Sequence, residues 1–426
     1  MMYSNNKVMK RNLLHTGALA LLLVACSTTP QSGKQEGQID IVPAFENQTE
    51  LKVSHLGKNI RYVPLETNDS SLIGNSWSIR LLEDKILVST KEGNLLFDRQ
   101  TGKFLREVSS VGQGPQEYLP GNYVPFIHPQ TGDIYFNRTP EKMIRFNQDG
   151  KYLGDLTLPV KWHGRCYLTF DDDQAILHVM DVKQCLYRFG TDVQMIDSIV
   201  LPSFGRGIDF EDFKSMAVFT GNSAKFLGLG VLSFNGLHLS QYKSEQRLDI
   251  TPAHYPSIYH YDDELRFHEA YNDTVFCIEG NQLSPRWIFH TGEYHFPEEL
   301  HGDMKESLNR IVVTYVAESE RLLFFQCAKG WFAGGKNVEL CNAVYDKENG
   351  TLMMHNSKEG FTDDLANFMP FHPEDFTPKG EYIGALNVWD IQEWIEEHPD
   401  VKLEGALAPL KGLADDANPV VVIVEP

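Results

Sequence analysis

The sequence predicts an all-β protein, a propeller of six four-stranded antiparallel blades with a short helix near the C-terminus. Three observations predict it. Short runs of β-branched and aromatic residues alternate with Gly, Asp and Asn turns along most of the chain. One turn signature recurs at spacings near those of propeller blades. Strand-like runs near both ends are suited to close a ring.

The first blade shows the unit. Ser78–Leu82, Lys85–Ser89, Asn94–Asp98 and Lys103–Val108 read as four strands, separated by Glu83-Asp84, Lys91-Glu92-Gly93 and Arg99–Gly102. The third turn, Phe97-Asp98-Arg99-Gln100-Thr101-Gly102-Lys103-Phe104, is the repeating marker. Phe146-Asn147-Gln148-Asp149-Gly150-Lys151-Tyr152 copies it, and Phe189-Gly190-Thr191-Asp192-Val193 is a degenerate copy. Ile278–Leu283 and Tyr345–Leu352 are two more. The markers stand 49, 43, 89 and 67 residues apart. The gap of 89 implies one further blade, with Val231–Phe234 and His238–Tyr242 as strands, and the gap of 67 implies a blade plus an insertion. A four-stranded sheet has two faces to cover, so blades stack around an axis and the ring must shut. Arg61–Leu65 and Val420–Val424 are the closing strands. Asp390 is placed to cap a helix whose Ile391, Trp394 and Ile395 share a face, with Pro399 beyond it.

The N-terminus carries an address. Lys7, Lys10 and Arg11 precede the apolar run Ala18–Ala25, which is too short to span a bilayer, a task that takes about 20 residues. Leu23-Val24-Ala25-Cys26 reads as a lipobox, with residues 1–25 removed and Cys26 lipidated. Residues 26–38 form a polar tether, and 39–426 form a single propeller domain. The expected location is the cell envelope, lipid-anchored, leaning to the periplasmic side because no acidic run follows Cys26. From Cys26 onward 58 acidic residues face 35 basic ones. That balance argues against nucleic acid as a partner, since nucleic-acid binders present basic patches. Besides Cys26 there are Cys166, Cys185, Cys277, Cys327 and Cys341, an odd number with no C-x-x-C spacing. Cys166 and Cys185 could meet across one sheet, which spacing alone does not decide.

Chemical motifs mostly fail. Gly330–Asn337 has P-loop spacing, but Asn337 stands where Ser or Thr should hold the metal. No H-E-x-x-H or G-x-S-x-G occurs. Asp171, Asp172 and Asp173 form an oxygen-rich turn that could take Ca²⁺, although such turns are ordinarily just solvated; no cofactor is otherwise expected. His260–Glu264 with His268 and Glu269 could bring imidazoles and carboxylates to a blade's inner end, against the plainer reading of a hairpin and a strand histidine. Trp162, His163, Trp331 and Phe332, with Trp287, could stack on sugars if they share one face; packing in a blade core is the commoner fate of Trp.

Taken together, Tyr62–Thr67, the run Gly112–Tyr118 and Asp415–Val424 resemble the six-bladed β-propeller lipoproteins of Bacteroidetes, which are NHL-like and TolB-like in architecture. Gln116 departs from the glycine expected in the second of these. The resemblance implies an extracytoplasmic lipoprotein without an assigned function and supplies no catalytic residue. The function expected is non-enzymatic: a membrane-tethered binding or scaffolding module for a protein, peptide or glycan. The segment Phe296–Arg310 and the Lys329–Asn337 loop are its expected contact loops. The alternative is a metal-dependent lactonase-like hydrolase or lyase with its site at the axial tunnel mouth. It requires acidic and His or Asn side chains from several blades to converge there.

Overall fold

The computed structural model describes residues 37–426 except 75–76, 119–124, 140–141, 159–166, 172–176, 181–184, 191, 203–212, 221–235, 244–247, 253–256, 270–271, 301–304 and 331–337. Residues 37–426 form one unit. Cys26, the signal segment and the tether up to residue 36 lie outside the described residues. So do Trp162, His163, Cys166, Asp172, Asp173, Trp331 and Phe332. No described helix is long and apolar enough to cross a membrane.

The chain enters through β1 (Gln38–Asp40), a short helix α1 (Val42–Glu46), a single turn α2 (Val53–Leu56) and β2 (Asn59–Pro64). Sheet 1 is β3 (Trp77–Leu81), β4 (Lys85–Thr90), β5 (Gly93–Asp98) and β6 (Phe104–Ser110). Sheet 2 is β7 (Phe126–Ile127), β8 (Ile134–Thr139), β9 (Lys142–Phe146) and β10 (Tyr152–Thr157). Sheet 3 is β11 (Tyr167–Phe170), β12 (Leu177–Met180), β13 (Cys185–Phe189) and β14 (Met195–Val200). Sheet 4 has three strands, β15 (Phe213–Thr220), β16 (Gly236–Tyr242) and β17 (Leu248–Pro252). Sheet 5 is β18 (Ser257–Tyr261), β19 (Glu264–His268), β20 (Thr274–Glu279) and β21 (Gln282–His290), and β1 adds to β21 in parallel. Sheet 6 is β22 (Ile311–Glu318), β23 (Leu322–Lys329), β24 (Glu339–Asp346) and β25 (Thr351–Asn356). The closing sheet is β26 (Asp375–Phe376), β27 (Tyr382–Leu386) and β28 (Val420–Glu425), with β2 on its outer side.

The propeller expectation holds in its coarser form: four-stranded antiparallel blades with few helices. The expected count of six such blades is corrected to five: among the described residues five of the seven sheets are four-stranded, sheet 5 is widened by β1, and sheet 4 shows three strands. The long marker gap holds sheet 4, in which β16 matches the expected His238–Tyr242; Val231–Phe234 lies outside the described residues. Leu186 and Ile199 of sheet 3 share one core cluster with Ile258, Leu265 and Phe267 of sheet 5.

The core lies between the sheets. Ile79, Val88 and Phe97 of sheet 1 meet Val421 and Ile423 of the closing sheet. Leu87 and Leu96 meet Phe136 and Ile144 of sheet 2. Tyr135 and Met143 meet Phe189 of sheet 3. Sheets 5 and 6 share Trp287, Phe289, Phe325 and Cys327. Phe324 and Val344 of sheet 6 join Tyr62, Tyr382 and Val422 of the closing sheet. Strand β23 of sheet 6 is buried on both faces, which is why it reads as the near-continuous apolar run Leu322–Ala328.

The repeating marker is an Asx turn. Asp98 Oδ1 accepts from the backbone N–H of Gln100 and Thr101, Asn147 Oδ1 from those of Asp149 and Lys151, and Asp346 Oδ1 from those of Glu348 and Asn349. Gly102, Gly150 and Gly350 follow at φ near +70° to +75°, where a side chain is strained. In the degenerate copy Val193 itself takes φ 63°. The closure is as expected: β2 pairs with β28 from Asn59–Glu425 to Pro64–Val420. The helix α3 (Val388–Glu397) starts earlier than expected, with Asn387 at its N-cap and Asp390 inside the first turn. Ile391 and Trp394 face the closing sheet's core, and the Trp394 ring meets Phe368.

Candidate functional site

The strands β3, β7, β11, β18, β22 and β26 each stand at one end of their sheet's strand order. Residues of these six strands, with the segments beside them, line one cavity of about 650 Å³. Its wall includes Ser78, Arg80, His128, Thr169, Tyr259 and His260. Tyr315, Asp375 and Phe376 complete it from sheet 6 and the closing sheet. An edge strand keeps one side of its peptide groups out of the ladder. The channel wall therefore offers backbone donors and acceptors as well as side chains.

Two ion pairs stand on this wall, Arg80 with Asp375 and Arg99 with Glu381. Arg80 Nη1 lies 3.2 Å from Asp375 Oδ2, joining sheet 1 to the neighbouring closing sheet. Burial raises the Asp375 carboxyl above the ordinary aspartate value, and Arg80 opposes that shift. Arg99 donates to Glu381 and to the carbonyls of Leu82 and Glu83, all at 3.3 Å for the carbonyl contacts. On the sheet 2 side, His128 Nδ1 accepts from the N–H of Gln130 at 3.2 Å and Thr131 at 3.3 Å, which places the ring proton on Nε2. The ring stacks on Phe170 at 4.3 Å. Burial lowers the His128 pKa, Asp133 opposes, and Arg145 and His260 add to the lowering. Tyr259 is held from behind: its hydroxyl donates at 3.3 Å to Glu318, a fully buried carboxylate. Glu318 also accepts from Trp287 Nε1 at 3.2 Å and Lys347 Nζ at 3.1 Å.

The histidine-and-acid segment of the sequence is split by the fold. His260 lines the channel, while Asp262 and Asp263 form a two-residue hairpin turn at φ 53° and 57°. His268 is fully buried, its Nε2 3.0 Å from the carbonyl oxygen of Asn272, and burial pulls its pKa down to about 4. Asp171 faces a separate cavity of about 140 Å³ between sheets 3 and 5, with Arg188, Asp263 and Glu264 on its wall. Arg188 there is committed to Asp197. Among the described residues no three His, Cys, Asp or Glu side chains stand close enough together to hold a metal ion.

Of the expected contact loops, Phe296 is buried and Arg310 donates to the carbonyls of Glu293 and His295, so both ends are fastened to the body. Lys329, at the start of the second loop, holds its ammonium 4.8 Å from the Tyr294 ring centroid and 5.8 Å from that of Phe45, and Lys336, the lysine of the P-loop-like spacing, lies outside the described residues. Sequence reasoning missed Arg80, His128 and Asp375. The signal was available for Arg80, a lone cation in the middle of the first strand of a blade, once the first strand is understood to face the axis.

A family model described as "Domain of unknown function (DUF4934)" matches residues 36–169 and 164–425. No curated protein matches the sequence. Among solved structures, a Bacteroides fragilis protein inferred to be exported superposes with a TM-score of 0.59 at 16% identity, over 92% of this chain and 100% of that one. A member of the DUF4221 family from Bacteroides vulgatus gives 0.36 at 10% identity, over 74% and 89%. The WD40 repeats of RRP9 give 0.40 at 10% identity, over 88% and 99%. The first of these shares the fold; the other two lie too far for any argument beyond their description.

Proposed function

The chain belongs to the DUF4934 family of domains of unknown function, and from that premise we propose that it is a binding module whose axial channel takes a neutral, hydroxyl-rich ligand, the end of a glycan chain. The module sits outside the cytoplasm, tethered to a membrane through Cys26. The inferred export of the Bacteroides fragilis structure agrees with that address.

One observation carries the reading. Arg80 and Asp375, a cation and an anion of the wall, already neutralise each other at 3.2 Å. A strongly charged ligand would have to break this pair, whereas hydroxyl groups can donate to the carboxylate and accept from the guanidinium while leaving it intact. Tyr259, Tyr315 and Phe376 supply apolar faces, and the strand edges supply further donors and acceptors. A volume of about 650 Å³ falls in the usual range of ligand sites. The lactonase-like alternative would need three or more ligand groups converging in the channel.

The test is a screen of the full chain, solubilised in detergent, against an oligosaccharide panel and a peptide panel. Glycan binding is expected, weakened about tenfold or more by Arg80→Ala, in line with the loss of a charge-assisted hydrogen bond. Peptide binding alone, or glycan binding indifferent to both Arg80→Ala and Asp375→Asn, would overturn the glycan assignment. One calcium or transition-metal ion retained per chain after dialysis would instead favour the hydrolase.

A further inference from the structure

Cys327 and Cys341 stand directly opposite each other on the two central strands of sheet 6. Opposed residues of an antiparallel pair point to the same face, with Cα atoms about 4.5–5.5 Å apart. A disulfide spans about 4.4–6.8 Å between Cα atoms. Both side chains are fully buried, and both belong to the core shared by sheets 5 and 6 with Phe325 and Ala343. The two thiols are unbridged here.

We propose that Cys327 and Cys341 form a cross-strand disulfide when the chain folds in an oxidising compartment. The reaction joins the two sulfurs and releases two protons and two electrons. The electrons reduce a disulfide of the surroundings, such as oxidised glutathione or an oxidoreductase, to two thiols, and the released protons go to those thiols. Timing follows from burial. Within the finished core, burial holds the Cys341 thiol up at about 12 and Cys327 well above the ordinary cysteine value, so almost no thiolate is present to attack an outside disulfide. The bond therefore forms while the β23–β24 hairpin is still open to solvent. Once sheets 5 and 6 have packed, the same burial shields it from exchange. The hairpin is local, joining Lys329 to Glu339 at its far end, so the two cysteines meet early.

The experiment uses the full chain in two ways. Protein recovered from the envelope fraction of a producing cell is quenched in acid, alkylated under denaturing conditions without reductant, digested and weighed. The expected result is a linked peptide pair containing Cys327 and Cys341, lighter by two hydrogen atoms than the reduced pair and released by reductant. Separately, unfolded reduced chain is refolded in a glutathione redox buffer, where the same link is expected. Replacing Cys327 by Ser should leave Cys341 fully alkylated; the wild-type measurement decides the matter if that variant does not fold. Cys327 and Cys341 both alkylated without reductant, in the envelope protein and in the refolded protein alike, would overturn the proposal. A link in the refolded chain alone would confine it to the test tube and overturn it for the cell.

Discussion

His268 shows how much a single buried group can set. With no exposure and a folded-state pKa of about 4, it stays neutral in the folded protein under conditions where the unfolded chain would charge it. The unfolded state then binds more protons between pH 6.5 and about 4, so stability falls as pH drops through that window. The loss is at most about 3 kcal/mol across it, from the size of the shift. His128 and His372 are lowered too and add to the slope, while Asp273 and Asp375, raised by burial, act in the opposite direction at the acidic end. Urea midpoints of the wild type and of His268→Gln at pH 7 and pH 5 separate the contributions. The variant should lose less between the two pH values, and equal losses would assign the slope to other groups. At this scale the sequence was partly legible. His260 and His268 were noticed together, but strand alternation and the hairpin send one to the axis and the other into the core.

At the scale of the element, the turn marker was readable because its chemistry is local: an Asx acceptor, two backbone donors and a glycine at positive φ. Gly102 carries a second demand that no local pattern announces. A Cβ there would lie 2.0 Å from the carbonyl oxygen of Pro64, so the turn of sheet 1 sits directly against the closing strand β2. Gly102→Ala should therefore cost about 3 kcal/mol or more, combining backbone strain with displacement of β2. Gly412→Ala is the control, since Gly412 shares the positive φ of 71° but has nothing within 4 Å of the added atom; about 1 kcal/mol is expected there. Thermal unfolding of the two variants checks the difference, and similar melting temperatures would mean that β2 yields to the turn. The three-stranded sheet 4 was the element least readable in advance. Its turn markers were too weak to count strands.

For the whole molecule, closure was legible and the site was not. Val420–Val424 is a continuous run of β-branched residues, and such a run needs partners on both sides. It finds β27 and β2. Deleting Val420–Pro426 should open the ring. The edges of β2 and β27 would be bared along with Tyr62, Ile383 and Tyr382, and unfolding should become less cooperative and begin at a lower temperature. Limited proteolysis and calorimetry would show it, and an unchanged transition would mean that the ring holds without β28. The channel escaped the sequence reading because the axis is built from one strand of each blade. Arg80 and Asp375 stand 295 positions apart in the chain, and no periodicity links them. Of the aromatic residues the sequence offered for sugar stacking, Trp287 packs in the core between sheets 5 and 6 and the others lie outside the described residues, while the described wall carries Tyr259, Tyr315 and Phe376.

The way the ring is shut also sets a schedule. β2 is made early and waits for β28, whose last paired residue is Glu425. Blades such as sheet 1 can assemble as they emerge, but the clasp cannot form until nearly the entire polypeptide is available. Contacts of such long sequence separation are slow to form. Until then the chain holds an open arc with exposed strand edges, so its passage to its working compartment and its protection from sticking to its neighbours depend on whatever attends it during that wait.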